Sequence, residues 1–264
     1  MHANVFDRYL EGDSLLHALD PRTKLITALL FILSHLLLPD GAWLAFALSF
    51  ALILLGNLLG TLGPTYTLRR SLWALPFSLA ALTVLFSIPG QALANLHFGS
   101  LQLTVTDAGL LRFISILLRA WLSIQVAILL VVTTRFPDLI HALEHLRLPK
   151  ILVVIIAFLY RYLFVLTDEV MRLLRARQSR SASVPGLHGG GSLSWRVQTA
   201  GGMVGQLFLR SYERSDRIYN AMQARGYSGQ IRTLASHDLH KKDWFFMLVV
   251  ILVVILLQII ARYP

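Results

Sequence analysis

The run Asp168-Glu169-Val170-Met171-Arg172-Leu173-Leu174-Arg175-Ala176-Arg177-Gln178-Ser179-Arg180 decides how this chain is to be read. It follows directly on an apolar stretch, Ile151 to Leu166, and reads as the polar end of one long helix. Ile151, Val154, Ile155, Phe158, Tyr162, Val165 and Leu166 recur at helical spacing and give that helix an apolar stripe. A second basic segment, Ser211 through Tyr227, ends Ala224-Arg225-Gly226-Tyr227. It closes a helix over Trp195 to Arg225, about 45 Å long at 1.5 Å per residue. Its broad face carries Ala200, Val204, Leu207, Phe208, Ser211, Tyr212, Ser215, Tyr219 and Met222, with Arg210, Arg214 and Arg217 elsewhere. Between the two, Pro185 to Ser194 holds Pro185-Gly186 and Gly189-Gly190-Gly191-Ser192, the composition of a flexible connector. Two helical arms with arginine near their tips therefore organise the chain.

The rest reads as membrane anchoring. Of 264 residues, 56% are hydrophobic and 14% charged, where a soluble domain carries about 25% charged residues. The apolar runs are long enough to span lipid, so the expected fold is all-α and polytopic. The absence of cysteine removes disulfides, Cys-ligated metal and thiol catalysis. The net charge of +10 reports topology, because Lys and Arg collect in cytoplasmic loops. No nucleic-acid-binding motif accompanies it, so nucleic acid is not an expected partner. Met1 to Lys24 holds four acids, three bases and no apolar core, which does not suit a cleavable signal.

Taken in order, the expected membrane bundle covers residues 1–134. Its spans are 25–38, with a possible start back at Pro21, then 42–60, 72–88 with Pro76 as kink or entry point, and 108–134. Asp20-Pro21-Arg22-Thr23-Lys24 stands before the first. Asp20 suits an N-cap and Pro21 the first helical position, while Arg22 and Lys24 mark a cytoplasmic end. Pro39-Asp40-Gly41 is a tight turn. The loop 89–107 reads as a small hairpin or interfacial segment. Arg112 and Arg119 lie seven apart on one face of the fourth span. Arg112 is read as snorkelling at the outer end. Arg119 is deeper and suits a structural role or contact with a membrane partner.

The loops at 61–71 and 135–150 hold Arg69, Arg70, Arg135, Arg147 and Lys150, whereas 39–41 and 89–107 hold no base. That puts the N-terminus inside. A crossing at 151–166 would place twelve basic residues from Arg172 to Lys242 outside. This sixteen-residue run contains Arg161, while a span needs about 20 residues, so it is read as embedded but not crossing. The expected coupling region covers 135–242, with helices at 137–147, 150–181 and 195–226. A final span at 243–264 ends outside, giving five crossings.

Chemistry-bearing motifs are few. His141-Ala142-Leu143-Glu144-His145 matches the H-x-x-E-H pattern of inverted zinc proteases. It lies on a short amphipathic helix with no identified third ligand, so a polar helix face is the simpler reading. His2 is given no role. No P-loop, no two-metal aspartate cluster and no nucleophile with an evident base stands out. Ala176-Arg177-Gln178 and Ala224-Arg225-Gly226 remain. Small Ala permits close approach to a groove wall. Arg offers a planar fork to a carboxylate and suits a helix C-terminus. Gly226 stops the helix and presents Arg225 at a tip.

Over essentially its whole length the chain resembles the transmembrane T component of energy-coupling factor (ECF) transporters, within them the cobalt/nickel-type CbiQ subgroup. The resemblance rests on Phe6-Asp7-Arg8-Tyr9, Leu19-Asp20-Pro21-Arg22-Thr23-Lys24-Leu25, Leu143 to Pro149, Tyr160-Arg161-Tyr162 with Asp168-Glu169, and the two Ala-Arg-x sites. It implies a non-catalytic scaffold in a bacterial or archaeal cytoplasmic membrane. Its partners would be two ABC-type ATPases, which bind ATP and Mg, and a small membrane-embedded substrate-binding (S) component. No cofactor is expected in this chain. Ala176 with Arg177 and Ala224 with Arg225 would dock in the two ATPases. Gln178 departs from the family's Gly, so the first arm is expected to run on toward Arg180. Three alternatives stay open: a permease with its own substrate path, which would need polar residues converging inside spans one to four, where only Arg119 is read as deep; a metal-dependent enzyme using His141, Glu144 and His145; and a scaffold without an ATPase.

Overall fold

A computed structural model describes residues 9–63, 65–74, 76, 79–98, 101–146, 148–180, 192–229 and 239–263. Nine α-helices and one hairpin are found among them. They fall into two units, each described by itself: 7–142 with 236–264, and 143–235.

The first unit is a helical bundle. Helix α1 (Pro21–Leu37) starts where the sequence chemistry directs. Asp20 is extended, its carboxylate accepts from the Arg22 N–H at 2.8 Å, and Pro21 fills the first position. It stops at Leu38, held extended by the following Pro39. Helix α2 (Trp43–Leu59) returns and ends at Gly60. Next comes α3 (Tyr66–Ser71). The stretch read from sequence as a third span, 72–88, is not one helix. Its described residues form 3₁₀ turns at Leu72–Ala74 and Leu79–Thr83, then a four-residue helix, α4 (Val84–Ser87). Pro76 lacks the N–H that an uninterrupted α-helix needs there. Strands β1 (Ala92–Phe98) and β2 (Leu101–Thr106) pair antiparallel as a hairpin. The hairpin feeds α5 (Asp107–Thr133), whose first turn is capped by the Thr106 hydroxyl accepting from Gly109 N–H. At 27 residues, α5 is about 40 Å long. It packs on α1, α2, α3 and α4 and is the axis of the bundle. After α6 (Phe136–His145), the chain re-enters this unit as α9 (Lys241–Arg262), which packs on α1 and α2.

The bundle is polar inside and apolar outside. Leu33, Leu36, Leu44, Leu58, Leu248 and Leu252 are exposed, while Ser49, Asn57, Thr67, Ser71, Ser115 and Gln125 are completely buried. An apolar core of Ala28, Leu38, Ala45, Phe46, Ile53, Leu122 and Val126 lies among them. The Asn57 amide donates to Thr67 Oγ1 at 2.6 Å, and the Thr67 hydroxyl faces Gln125 Oε1 at 3.5 Å. Gln258 on α9 donates to Ser34 O and Oγ on α1 at 2.8 and 2.9 Å. This corrects the expectation that only Arg119 is deep. Short uncharged polar groups do not interrupt an apolar run, and in lipid they turn inward to bond across helices.

In the second unit, α7 (Lys150–Arg180) and α8 (Leu193–Ala224) pack on each other. Pro149 opens α7 by offering its carbonyl to Leu152 N–H at 2.9 Å, and the Ser192 hydroxyl caps α8 at Trp195 N–H. Val153 is the one buried residue of α7, and α8 has none among its described residues. Among the described residues three helices are long and apolar enough to cross a membrane, α5, α7 and α9, with α2 a shorter apolar helix. Residues 181–191, and with them most of the expected connector 185–194, lie outside the described residues.

Candidate functional site

The two arginine sites end up in different local structures. Ala224 is the last residue of α8, and Arg225 is its C-cap and exposed. Gly226 follows at φ +79°, a conformation a side chain would resist. The Gly226 N–H donates to Gln223 O at 2.9 Å and the Tyr227 N–H to Met222 O at 3.0 Å. This bond pair is a Schellman cap, which satisfies the last carbonyls and fixes where the chain leaves the helix. Met222 and Tyr227, the residues such a cap brings together, both line the groove between α7 and α8. Arg225 thus projects from a rigid end.

Ala176-Arg177-Gln178 lies inside α7, which continues through Arg180. Gln178 does not end the helix, since it lacks glycine's access to positive φ. Arg177 is half-buried. Its guanidinium carbon sits 5.8 Å from the centre of the Trp195 ring, near the start of α8, within cation–π range.

Between the arms runs a largely apolar groove of about 710 Å³. Ile155, Phe158 and Tyr162 line it from α7, and Phe208, Tyr212 and Tyr219 from α8. Phe158 and Tyr162 stack with centroids 5.9 Å apart, pre-ordering one wall. An ion pair also joins the helices. Glu169, largely covered, pairs with Arg210 of α8, and Arg172 approaches from its own helix at 3.8 Å. Sequence reasoning marked Glu169 without a role and set Arg210 aside. The signal was an acid on one arm and a base on the other, but without the crossing point nothing paired them.

Asp20, Pro21, Arg22 and Lys24 form a buried junction in the bundle. Asp20 N–H donates to the Asp243 carboxylate at 2.9 Å, which also accepts from His240 N–H at 2.9 Å. Lys24 Nζ donates to His17 O and Thr133 O, each at 3.1 Å. Asp138, Asp20 and Asp243 supply nearby negative charge. Arg22 stands 3.9 Å from Asp20. One short motif therefore ties the N-terminal segment, α1, the end of α5 and the start of α9. His17 is held beside it, its ring bridging Ser14 Oγ at 2.6 Å and Leu10 O at 3.0 Å. Burial pushes the His17 pKa below its ordinary value, and nearby Lys24 adds to the effect.

Arg119 finds its partner within the chain. It donates to Asp40 at 2.5 Å, and Arg112 comes within 3.8 Å of the same carboxylate. The turn 39–41 is thereby clamped to α5. His141, Glu144 and His145 lie on α6. Among the described residues, no three His, Asp or Glu side chains stand close enough to hold a metal.

The arrangement offers docking and leverage: a guanidinium at a capped tip, a second part-way along the other arm, and an apolar groove between. The family model described as CbiQ, cobalt transport protein, matches residues 12–235. The energy-coupling factor transporter transmembrane protein EcfT of Acidaminococcus fermentans is 30% identical, over 95% of this chain and 94% of its own. EcfT of Listeria innocua is 30% identical over 87% and 86%. An uncharacterized protein of Methanocaldococcus jannaschii is 28% identical over 99% and 88%.

Proposed function

Because the chain belongs to the CbiQ family, the transmembrane T components of energy-coupling factor transporters, we propose that it is the coupling scaffold of an ATP-driven importer and that its arms carry the motion. Two ABC-type ATPases bind ATP and Mg in the cytoplasm. Arg225 docks in one and Arg177 in the other, each on an acidic groove residue, with Ala224 and Ala176 permitting close approach. When the ATPases close, the tips shift, and α7 and α8 carry the displacement to their apolar faces. Those faces hold a small substrate-binding component in the membrane, which tilts to release its cargo, cobalt or nickel as substrate. The N-terminus lies inside and the C-terminus outside a bacterial or archaeal cytoplasmic membrane.

The observation that carries this reading is Arg225, exposed at a Schellman-capped end of a 32-residue helix with no buried residue among those described. Such a helix lacks the intrachain burial that usually stabilises one, so a partner is its natural complement. The buried Asn57, Thr67 and Gln125 are what a permease reading would use. Their bonding across α2, α3 and α5 fits a structural tie better than a path.

Co-purification of the chain with candidate ABC-type ATPases tests the proposal, comparing wild type with Arg177→Glu plus Arg225→Glu. The wild type is expected to hold an ATPase pair, and the double variant to release it while remaining folded in membranes. Of the single variants, Arg225→Glu is expected to cost more, because Arg177 also contacts Trp195. Retention by the double variant would move docking away from these tips. A chain that binds no ATPase removes the coupling assignment.

A further inference from the structure

Tyr66, Arg69, Arg70 and Trp73 recur at i, i+3, i+4 and i+7 along α3 and the 3₁₀ turn that comes after it. Thr67 and Ser71, on the other side, are completely buried, and α3 packs on α5. Arg69, Arg70 and Trp73 therefore look away from the bundle, while the Tyr66 ring lies half-buried beneath them with its hydroxyl inside. Arg69 and Arg70 are exposed, and no carboxylate pairs with either among the described residues. The Arg70 guanidinium carbon lies 4.5 Å from the centre of the Tyr66 ring. That stacking uses the flat face of the cation and leaves its N–H edge available.

With Leu62 and Thr65, these residues line a groove of about 440 Å³. Trp73 beside it is 85% exposed, and Leu72 is 53% exposed. The same end of the bundle carries Lys24, because Leu59 of α2 and Lys24 line one cavity. Leu55, Leu58 and Leu59 continue the apolar surface up α2.

We propose that this groove binds the phosphodiester headgroup of an anionic phospholipid. The Arg69 and Arg70 forks hold the phosphate oxygens, Tyr66 and Trp73 lie at glycerol depth, and Leu62 and Leu72 meet the first acyl carbons. Two features select a lipid over a soluble phosphate. A bare Trp and Leu beside two guanidinium groups suit the level where aromatic rings settle in a bilayer. On the orientation proposed above, the two arginines also stand at the cytoplasmic end of the bundle, where a basic cluster meets the anionic leaflet. The site owes nothing to the ATPase or the substrate-binding component and rests on the proposed function only for which leaflet it meets.

Native mass spectrometry of the purified full chain tests it, with equal amounts of phosphatidylglycerol and phosphatidylcholine. Wild type is expected to retain phosphatidylglycerol roughly thirtyfold over phosphatidylcholine, as two cation contacts to a headgroup would give. Arg69→Gln plus Arg70→Gln should abolish that preference, and Arg112→Gln, at the opposite end, should leave it intact. The wild-type preference needs no variant, so a misfolded double variant does not rescue or sink the idea. Equal retention of both lipids by wild type overturns the proposal. So does an unchanged preference in the double variant, an equal loss in Arg112→Gln, or displacement of the lipid by millimolar inorganic phosphate.

Discussion

His17 shows how much one uncharged ring can hold. Its Nε2–H donates to Leu10 O, and in the neutral ring Nδ1 accepts from the Ser14 hydroxyl. Protonation would place a donor against Ser14 and a charge near Lys24. The folded pKa lies below the ordinary value of about 6.5, so the unfolded chain binds the proton first. Stability from this contact is therefore complete above about pH 6.5 and declines as pH falls below it toward the folded value. Amide protection at Ala18, whose N–H donates to Ser14 O, is expected to weaken over that window. His17→Gln should remove the pH dependence. A protection factor at Ala18 that does not change with pH in the wild type would show that the ring is not the controlling group. The same local view explains Lys24. From sequence it is a topological charge, but in the fold its ammonium bonds to two carbonyls far apart in the chain.

At the scale of elements, the crossing of α7 and α8 sets the Glu169–Arg210 ion pair within an apolar contact. Glu169 is largely covered while Arg210 remains about half exposed. The pair should contribute about 0.5–1 kcal/mol, near the top of the range for exposed ion pairs. Glu169→Arg or Arg210→Glu is expected to loosen the crossing, and the double swap to restore most of it. Spin labels at Leu159 and Leu209 would report this as broadened distances in the single variants that narrow again in the swap. The chain has no native cysteine, so labelling needs no background substitutions. Broadening that persists in the swap would assign the crossing to apolar packing alone. The arms themselves were legible in sequence, because a helical apolar stripe leading into an Arg-rich end is a strong local pattern. The stop at Gly226 followed from cap chemistry, whereas the Ser192 cap was missed, because its Gly/Ser surroundings read as connector and α8 begins at Leu193 rather than Trp195. The crossing point was not legible, because it depends on which two of many charged residues meet across helices. The broken 72–88 segment was missed for a related reason. Hydropathy records that it is apolar, not whether one helix can run through Pro76.

For the molecule as a whole, the charge pattern and the hydropathy of α7 pull in opposite directions. By length and composition α7 qualifies as a span, while the basic residues beyond it favour the cytoplasmic side. Single cysteines reacted with an impermeant maleimide in intact cells separate the two. Label is expected at Gln91→Cys and Tyr263→Cys, and none at Thr65→Cys, Ser179→Cys or Ser228→Cys. Reaction at Ser179 would make α7 a crossing and reverse the orientation of α8 and α9. The polar interior was hidden at this scale too. Asn57, Thr67 and Gln125 are scattered through apolar sequence and become a group only when α2, α3 and α5 meet.

The near absence of buried residues on α7 and α8 has a consequence for the cell. A pair of arms that hides almost nothing within its own chain offers quality-control proteases a long, greasy handle until something covers it. The lifetime of the protein should then follow the supply of its companions. Synthesised in excess, it would be cleared as an orphan, and the cell would match its copy number to the rest of the assembly by destruction rather than by regulated synthesis.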